Sequence, residues 1–340
     1  MRSRVEGDRE HLDRAFAGKR VLISGGAGFI GSHLARALVA RKADVTLVDS
    51  LIPEYGGNLF NLHGIEDRVR LNIADVRDEH SMKYLVKSHQ VFFNLAGQTS
   101  HLDSMSDPYT DLDINCRAQL SMLEACRKEN PTIRIVFAST RQIYGKAARL
   151  PVDERHPLAP IDVNGINKMA GEWYHVLFSR VYGIPTCALR LTNTYGPGMR
   201  VKDARQTFLG VWIRRLVEGE PIEVYGDGEQ LRDFTFVDDA VDAFLRAAAC
   251  DGSAGEVFNL GGDERISLRD IARLAVEVAG QGEIHHVPFP PARKAIDIGD
   301  YYADYAHIRE TLGWMPHVAL REGLTRTLAF YRQHRAHYWA

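Results

Sequence analysis

The run Val21-Leu22-Ile23-Ser24-Gly25-Gly26-Ala27-Gly28-Phe29-Ile30-Gly31 holds residue types that can receive an anion. An apolar stretch runs into glycines, and an amphipathic stretch over residues 32–39 follows, which predicts strand, tight turn and helix. Glycine is needed at such a turn for two reasons. Positive φ excludes a Cβ, and a diphosphate must reach bare backbone at a helix N-terminus, where free N–H groups and the helix dipole favour negative charge. Two spacings fit at once, Gly26-x-Gly28-x-x-Gly31 and Gly25-x-x-Gly28-x-x-Gly31. A glycine triplet alone fits any tight strand–helix turn, so the context matters. Residues 44–49 read as the next strand, and its last residue, Asp49, follows Gly28 by 21 positions. A dinucleotide fold places a carboxylate about 20 residues downstream to hold the adenosine ribose hydroxyls. The expected cofactor is NAD rather than NADP, because the Asp49 carboxylate repels a 2′-phosphate.

Positioning these residues requires a series of strands and helices. Residues 68–73, 91–97, 132–140 and 186–191 read as further strands, and residues 108–130 and 164–182 as long helices. Ala96 and Gly97, at the end of one strand, are small enough for a cofactor to lie against the backbone. Asp75 is placed either to meet the adenine edge or to cap the helix after it. The alternation predicts an α/β fold, a Rossmann-type doubly wound parallel sheet with ligands at the carboxyl ends of the strands. Beyond residue 192, Gly- and Pro-containing turns break the pattern. The expected division is an extension at 1–18, an NAD-binding domain at 19–192, and a smaller α+β substrate lobe at 193–340 interleaved with the last strands of the sheet. Residues 1–18 are charged and show no strand pattern, so they read as a short extension, prone to fray.

Bulk composition narrows the partners. The 340 residues are 45% hydrophobic and 25% charged with a net charge of −2, which provides a core but no broad basic field. Nucleic acid and anionic membrane are therefore not expected partners. Cys116, Cys126, Cys187 and Cys250 form no Cys-x-x-Cys pair and no tight Cys/His cluster, so no metal is expected. With no secretory h-region and no apolar run of about 18 residues, the expected location is the reducing cytoplasm.

Further segments line up in one order: Asp75-Val76, Leu95-Ala96-Gly97, Asn115, Phe137-Ala138-Ser139-Thr140, Ile143-Tyr144-Gly145, Lys168, Asn193 within Arg190–Pro197, Arg232-Asp233-Phe234, and Phe258-Asn259-Leu260-Gly261-Gly262. Together with the glycine turn they resemble the extended short-chain dehydrogenase/reductase superfamily, in its nucleotide-sugar epimerase/dehydratase group, over about residues 20–330. The resemblance implies a bound NAD and a nucleoside-diphosphate sugar across the cleft. It places Gly25, Gly28, Phe29, Ile30, Gly31, Asp49, Ser50, Asp75, Val76, Leu95, Ala96, Gly97, Asn115 and Lys168 at the cofactor. Asn193, Arg232 and Lys294 fall at the substrate, where a guanidinium also suits phosphate on its own chemistry. Thr140 matches the hydroxyl that members of the group aim at the sugar oxygen. A homodimer formed through the two long helices is implied as well.

One position departs from the pattern. The group carries Tyr-x-x-x-Lys, whose spacing puts both side chains on one helical face, and whose lysine stabilises a phenolate base. Here the segment is Asn164-Gly165-Ile166-Asn167-Lys168. An amide orients a hydroxyl but does not take its proton near neutral pH. Three readings follow: an active enzyme with the base moved to His101 or Lys168, altered chemistry, or a non-catalytic NAD- and nucleotide-sugar-binding homologue. A loop histidine bonded to Asp103 or solvent is the plainer account of His101. The acids that dehydratases and decarboxylases of the group carry at positions 141 and 142 are replaced by Arg141 and Gln142. The resemblance therefore implies epimerisation through a transient keto-sugar, with dehydration or oxidoreduction by a relocated base as the alternative.

Overall fold

A computed structural model describes residues 2–203 and 207–339. Helix α1 (Arg2–Phe16) leads into β1 (Arg20–Ser24), α2 (Phe29–Ala40), β2 (Asp44–Asp49), β3 (Val69–Ile73), α3 (Glu79–Val86) and β4 (Val91–Asn94). Short helices α4 (His101–Ser106) and α5 (Pro108–Leu112) come next, then a π-helical turn at Asp113–Arg117, α6 (Ala118–Glu129), β5 (Arg134–Thr140), α7 (Val163–Tyr182) and β6 (Thr186–Leu191). The remainder runs through β7 (Asn193–Tyr195), α8 (Phe208–Glu218), β8 (Ile222–Tyr225), β9 (Leu231–Arg232), β10 (Phe234–Phe236), α9 (Val237–Ala249), β11 (Val257–Asn259) and β12 (Ile266–Ser267). It ends with α10 (Leu268–Ala279), β13 (Ile284–Val287), α11 (Pro291–Ala295), α12 (Ala306–Leu312) and α13 (Leu320–His334).

Seven strands form one parallel sheet in the order β11-β6-β5-β4-β1-β2-β3. Helices cover both faces of such a sheet, so its inner strands read as continuous apolar runs, as Val21-Leu22-Ile23 and Val91-Phe92-Phe93 do. The order reverses at β1, which pairs with β2 on one side and β4 on the other. The smaller lobe builds three two-stranded ribbons, β7 with β10, β8 with β13 and β9 with β12. Strand β11 returns to the large sheet beside β6. The lobe is thus interleaved with the sheet.

Local sequence accounts for the ends of the helices that matter. Asp162 caps α7 by accepting from the Gly165 N–H at 2.6 Å, and Gly183 ends it in the left-handed conformation. The single helix expected over 108–130 is interrupted by the π-turn, where Asn115 Nδ2 donates out of the helix to Gln98 O at 2.9 Å. The first 18 residues also differ from expectation. Residues 2–16 form a helix whose last turns drive Leu12 and Phe16 into the core, with the Phe16 ring 6.3 Å from that of Phe93. A spacing of four puts both side chains on one face, a period that the surrounding charges obscure in the sequence.

Phe16→Ala removes a fully buried ring and is expected to cost about 3–5 kcal/mol in urea unfolding. A loss below 1 kcal/mol, on the order of a surface change, would show that α1 is only an appendage.

Candidate active site

The first cavity is a groove along the carboxyl ends of β1, β2 and β4. Gly25 takes φ +68°, and a Cβ on Gly31 would collide with the Gly25 carbonyl. Gly26 instead packs against Leu47, so of the glycines in this turn Gly25, Gly28 and Gly31 line the groove. This selects the second of the two spacings. Phe29, Ile30, Ser50, Asp75, Val76, Leu95, Ala96 and Gly97 line the groove with them. Asp49 accepts from the Ala27 and Leu51 N–H groups, both at 2.9 Å, and burial raises its carboxyl above the ordinary range. The Gly28 N–H also faces this carboxylate, which has about four acceptor positions and so keeps capacity for a ribose hydroxyl. Asp75 forms a bidentate pair with Arg77 at 3.0 and 2.7 Å, which holds its carboxyl low. The cap of α3 is Asp78, not Asp75. Bare backbone, a helix N-terminus and a carboxylate on the next strand fit the adenosine-diphosphate half of a dinucleotide.

Lys168 and Asn164 line the same groove from α7. The Lys168 ammonium donates to Ala138 O at 3.2 Å and lies 5.0 Å from the Phe137 ring. Burial pushes it down to about 8, with Asp111 opposing the shift. A Cβ on Gly97 would come 2.7 Å from Lys168 Nζ and 2.9 Å from Asn115 Oδ1, so this position has room only for hydrogen. Asn115 itself sits one layer behind the groove. Its Nδ2 donates to Gln98 O and Asp111, and its buried Oδ1 has no partner.

The amide of Asn164 is engaged rather than free. Its Nδ2 donates to Gln98 O at 2.8 Å and Asp111 Oδ2 at 2.9 Å. Asp111 is fully buried and also accepts from Asn167 at 2.8 Å and Asn115 at 3.0 Å. Three side-chain amides therefore satisfy one carboxylate beneath the lysine.

A second cavity opens beside the groove, between α8, the β9 region and α11. Arg232 lines it, donating to the Leu231 and Gly299 carbonyls and to Asp297 Oδ1 at 3.4 Å. Burial and the nearby Arg141 push its guanidinium down to about 10. Lys294 is exposed on α11 and does not line the cavity; the adjacent Arg293 does, 5.9 Å from the Tyr225 ring. His101, Arg141, Asn193 and Thr207 line both cavities and so mark their junction. Thr140 lies at the groove side, its Oγ1 accepting from the Gln142 N–H at 3.2 Å.

His101 Nδ1 lies 2.9 Å from Asp162 Oδ2, an ion-pair contact that is not aligned as a hydrogen bond. Its partner is therefore Asp162 and not the neighbouring Asp103. Asp162 also accepts from Gln142 Nε2 at 2.7 Å. Burial raises the Asp162 carboxyl, but His101, the Gly165 N–H and Gln142 outweigh it and hold it low. Behind β5, Ser139 donates to Glu172, which pairs with Arg190, whose guanidinium donates to the Tyr144 hydroxyl at 2.6 Å.

Sequence reasoning missed Asp111, Gln98, Asp162 and Thr207. Only Asp111 had a readable signal: it stands four residues before Asn115, on one helical face.

The chain matches the NAD dependent epimerase/dehydratase family over residues 21–261. It is 32% identical over 317 residues to a UDP-glucose 4-epimerase of Mycolicibacterium smegmatis, covering 92% of this chain and 98% of that one. It is also 32% identical over 326 residues to a UDP-N-acetyl-alpha-D-glucosaminuronate decarboxylase of Bacillus cytotoxicus, covering 93% and 98%. The crystal structure of UDP-glucose 4-epimerase from Thermotoga maritima with UDP-glucose superposes with a TM-score of 0.84 at 31% identity, covering 93% and 99% of the two chains.

Lys168→Met tests the buried charge in protein stripped of nucleotide. The folded chain releases the Lys168 proton at about 8, the unfolded chain at the ordinary 10.5. Between those values the unfolded state binds more protons, so this group makes stability rise with pH. The variant is expected to be more stable than wild type at pH 7, with the gap closing by pH 10 in urea titrations. A gap independent of pH would overturn the assignment.

Proposed function

This chain belongs to the NAD dependent epimerase/dehydratase family, and we propose that it epimerises a nucleoside-diphosphate sugar by removing a hydride from one sugar carbon and returning it to the other face. NAD is the cofactor, and when bound it supplies a reversible hydride acceptor. The observation that supports the reading is the junction, where a sugar in the second cavity meets the cofactor groove. Of the residues that line both cavities, His101 is the one suited to take a hydroxyl proton near neutral pH. Asp162 Oδ2 lies 2.9 Å from Nδ1, near enough to stabilise the imidazolium that forms when Nε2 accepts the proton. Lys168 keeps positive potential at the groove wall. Asn164, with both amide hydrogens spent on Gln98 and Asp111, positions and does not act as a base. Arg232 and Arg293 face the diphosphate. Gln142 stands where a glutamate would serve a decarboxylase, and its amide is held by Asp162, so epimerisation is favoured over decarboxylation.

A homodimer belongs to the same proposal. Ile166, Trp173, Leu177 and Val181 repeat at intervals of seven, four and four along α7 and are each about half exposed, an apolar stripe suited to a second copy of this chain.

Three experiments test these statements. Purified protein incubated with UDP-, GDP-, CDP-, ADP- and dTDP-sugars and followed by NMR is expected to invert one sugar centre. His101→Gln should lower kcat about 100- to 10,000-fold while nucleotide-sugar binding persists. No turnover of any sugar sinks the enzyme reading, and a wild-type pH–rate profile in His101→Gln removes the base. In light scattering, the double variant Trp173→Glu/Leu177→Glu should convert a dimer to a monomer; an unchanged mass would move the interface elsewhere.

A further inference from the structure

Arg141 is a cation in the reaction cleft that the protein does not neutralise. Its Nη2 donates to Asn193 Oδ1 at 2.8 Å, and its guanidinium lies 5.4 Å from the Tyr301 ring. Nε and Nη1 make no hydrogen bond to any described residue. Among the described residues no carboxylate comes within ion-pair distance of it. The two nearest acids are committed elsewhere: Asp233 accepts from Thr192 and from the Ala303 N–H at 3.0 Å, and Asp297 pairs with Arg232. The contrast with Arg190, sealed in the core against Glu172, is direct. Burial lowers the Arg141 guanidinium, and Tyr301, Asp233 and Asp297 offset this only in part. An uncompensated cation in a cleft is costly unless the ligand brings the counter-charge.

Position decides which part of the ligand that is. Arg232 and Arg293 stand in the second cavity away from the groove, where the diphosphate bridges nucleoside and sugar. Arg141, like His101, lines both cavities, so its reach is to the sugar, not to the nucleoside end. With one edge fixed by Asn193, the remaining N–H groups present a fork that matches a carboxylate. We propose that the substrate is a nucleoside-diphosphate uronic acid, and that Arg141 binds the carboxylate of its sugar. This inference rests on the nucleotide-sugar reading above and narrows it.

Calorimetry on the NAD-loaded protein tests it, with the nucleoside diphosphates UDP, dTDP, GDP, CDP and ADP, then UDP-glucose against UDP-glucuronate, and the corresponding neutral and uronate pair of whichever nucleotide binds best. Wild type should prefer the uronate about 10- to 100-fold, the worth of a charge-assisted hydrogen bond. Arg141→Gln should erase that preference, leave the affinity for the bare nucleoside diphosphate within about twofold of wild type, a difference too small for a lost charge-assisted bond, and melt no lower than wild type. Arg141→Lys, which keeps the charge and loses the fork, should retain part of the preference. Equal affinity for both sugars in wild type, or a preference that survives Arg141→Gln, overturns the inference. An equal loss for the bare nucleoside diphosphate overturns it too, by assigning Arg141 to the phosphates. In each of those cases the epimerase reading stands if the neutral sugar is turned over. If no nucleoside diphosphate and no nucleotide sugar binds, the nucleotide-sugar reading itself fails and the inference goes with it.

Discussion

The reversal of strand order at β1 is the constraint on which the site depends. Because β1 pairs with β2 on one edge and β4 on the other, the connections after β1 and β4 diverge and leave a crevice at their carboxyl ends. Most groups assigned a role at the cofactor sit on the rim of that crevice, while Arg232 and Arg293 line the neighbouring cavity. The glycine turn follows β1, Asp49 ends β2, Leu95–Gly97 follow β4, Thr140 ends β5 with Arg141 after it, and Asn193 follows β6. Helix α7 crosses behind with Lys168. The smaller lobe adds the other wall, and β11 ties that lobe into the sheet, so the two walls are one covalent and hydrogen-bonded unit.

Buried charge divides into two kinds in this molecule. Asp111 and the Glu172–Arg190 pair are satisfied within the protein, by three amides in one case and by Ser139 and Tyr144 in the other. Such pairs add little net stability compared with apolar packing. What they fix is position: Asp111 sets the first turn of α7 against the π-turn, and Glu172 sets α7 against β5 and β6. Lys168 and Arg141 are of the second kind, buried or half-buried cations with no carboxylate in contact. They raise the energy of the empty protein, and the compensation must come from a ligand in the cleft. Asp111 and the Glu172–Arg190 pair lie behind the crevice, whereas Lys168 and Arg141 line it.

The sheet was legible because buried parallel strands are short apolar runs bounded by Gly, Pro and Asp, and the observed strands follow those runs within a few residues. The groove-lining residues were legible for the same reason, since a motif at a strand end inherits the strand's position. What the sequence concealed depends on long-range contact or on helical phase. His101 meets Asp162, and Asp111 meets Asn164 and Asn167, only after α4, α5 and α7 pack together. Lys294 and Arg293 differ by one residue, about 100° of helical turn, and spacing alone does not say which faces the cavity. Helix α1 was hidden because Leu12 and Phe16 reach the core from an otherwise charged stretch.

Asn164 changes what the first turn of α7 presents to the groove. A tyrosine there would bring its hydroxyl to the groove, but an asparagine is short enough to stay back and bond Asp111 and the Gln98 carbonyl. The helix then gives rigidity at that turn where it would otherwise give a proton acceptor. The proton chemistry proposed for His101 remains mechanically coupled to α7 through Asp162. That one carboxylate caps α7 at Gly165, holds Gln142 after β5, and faces His101 at the start of α4. Any displacement of α7 that moved Lys168 from the groove would move Asp162 and with it the histidine. Lys168 and the base proposed at His101 are therefore both tied to one buried acid, Asp162, with no phenol between them.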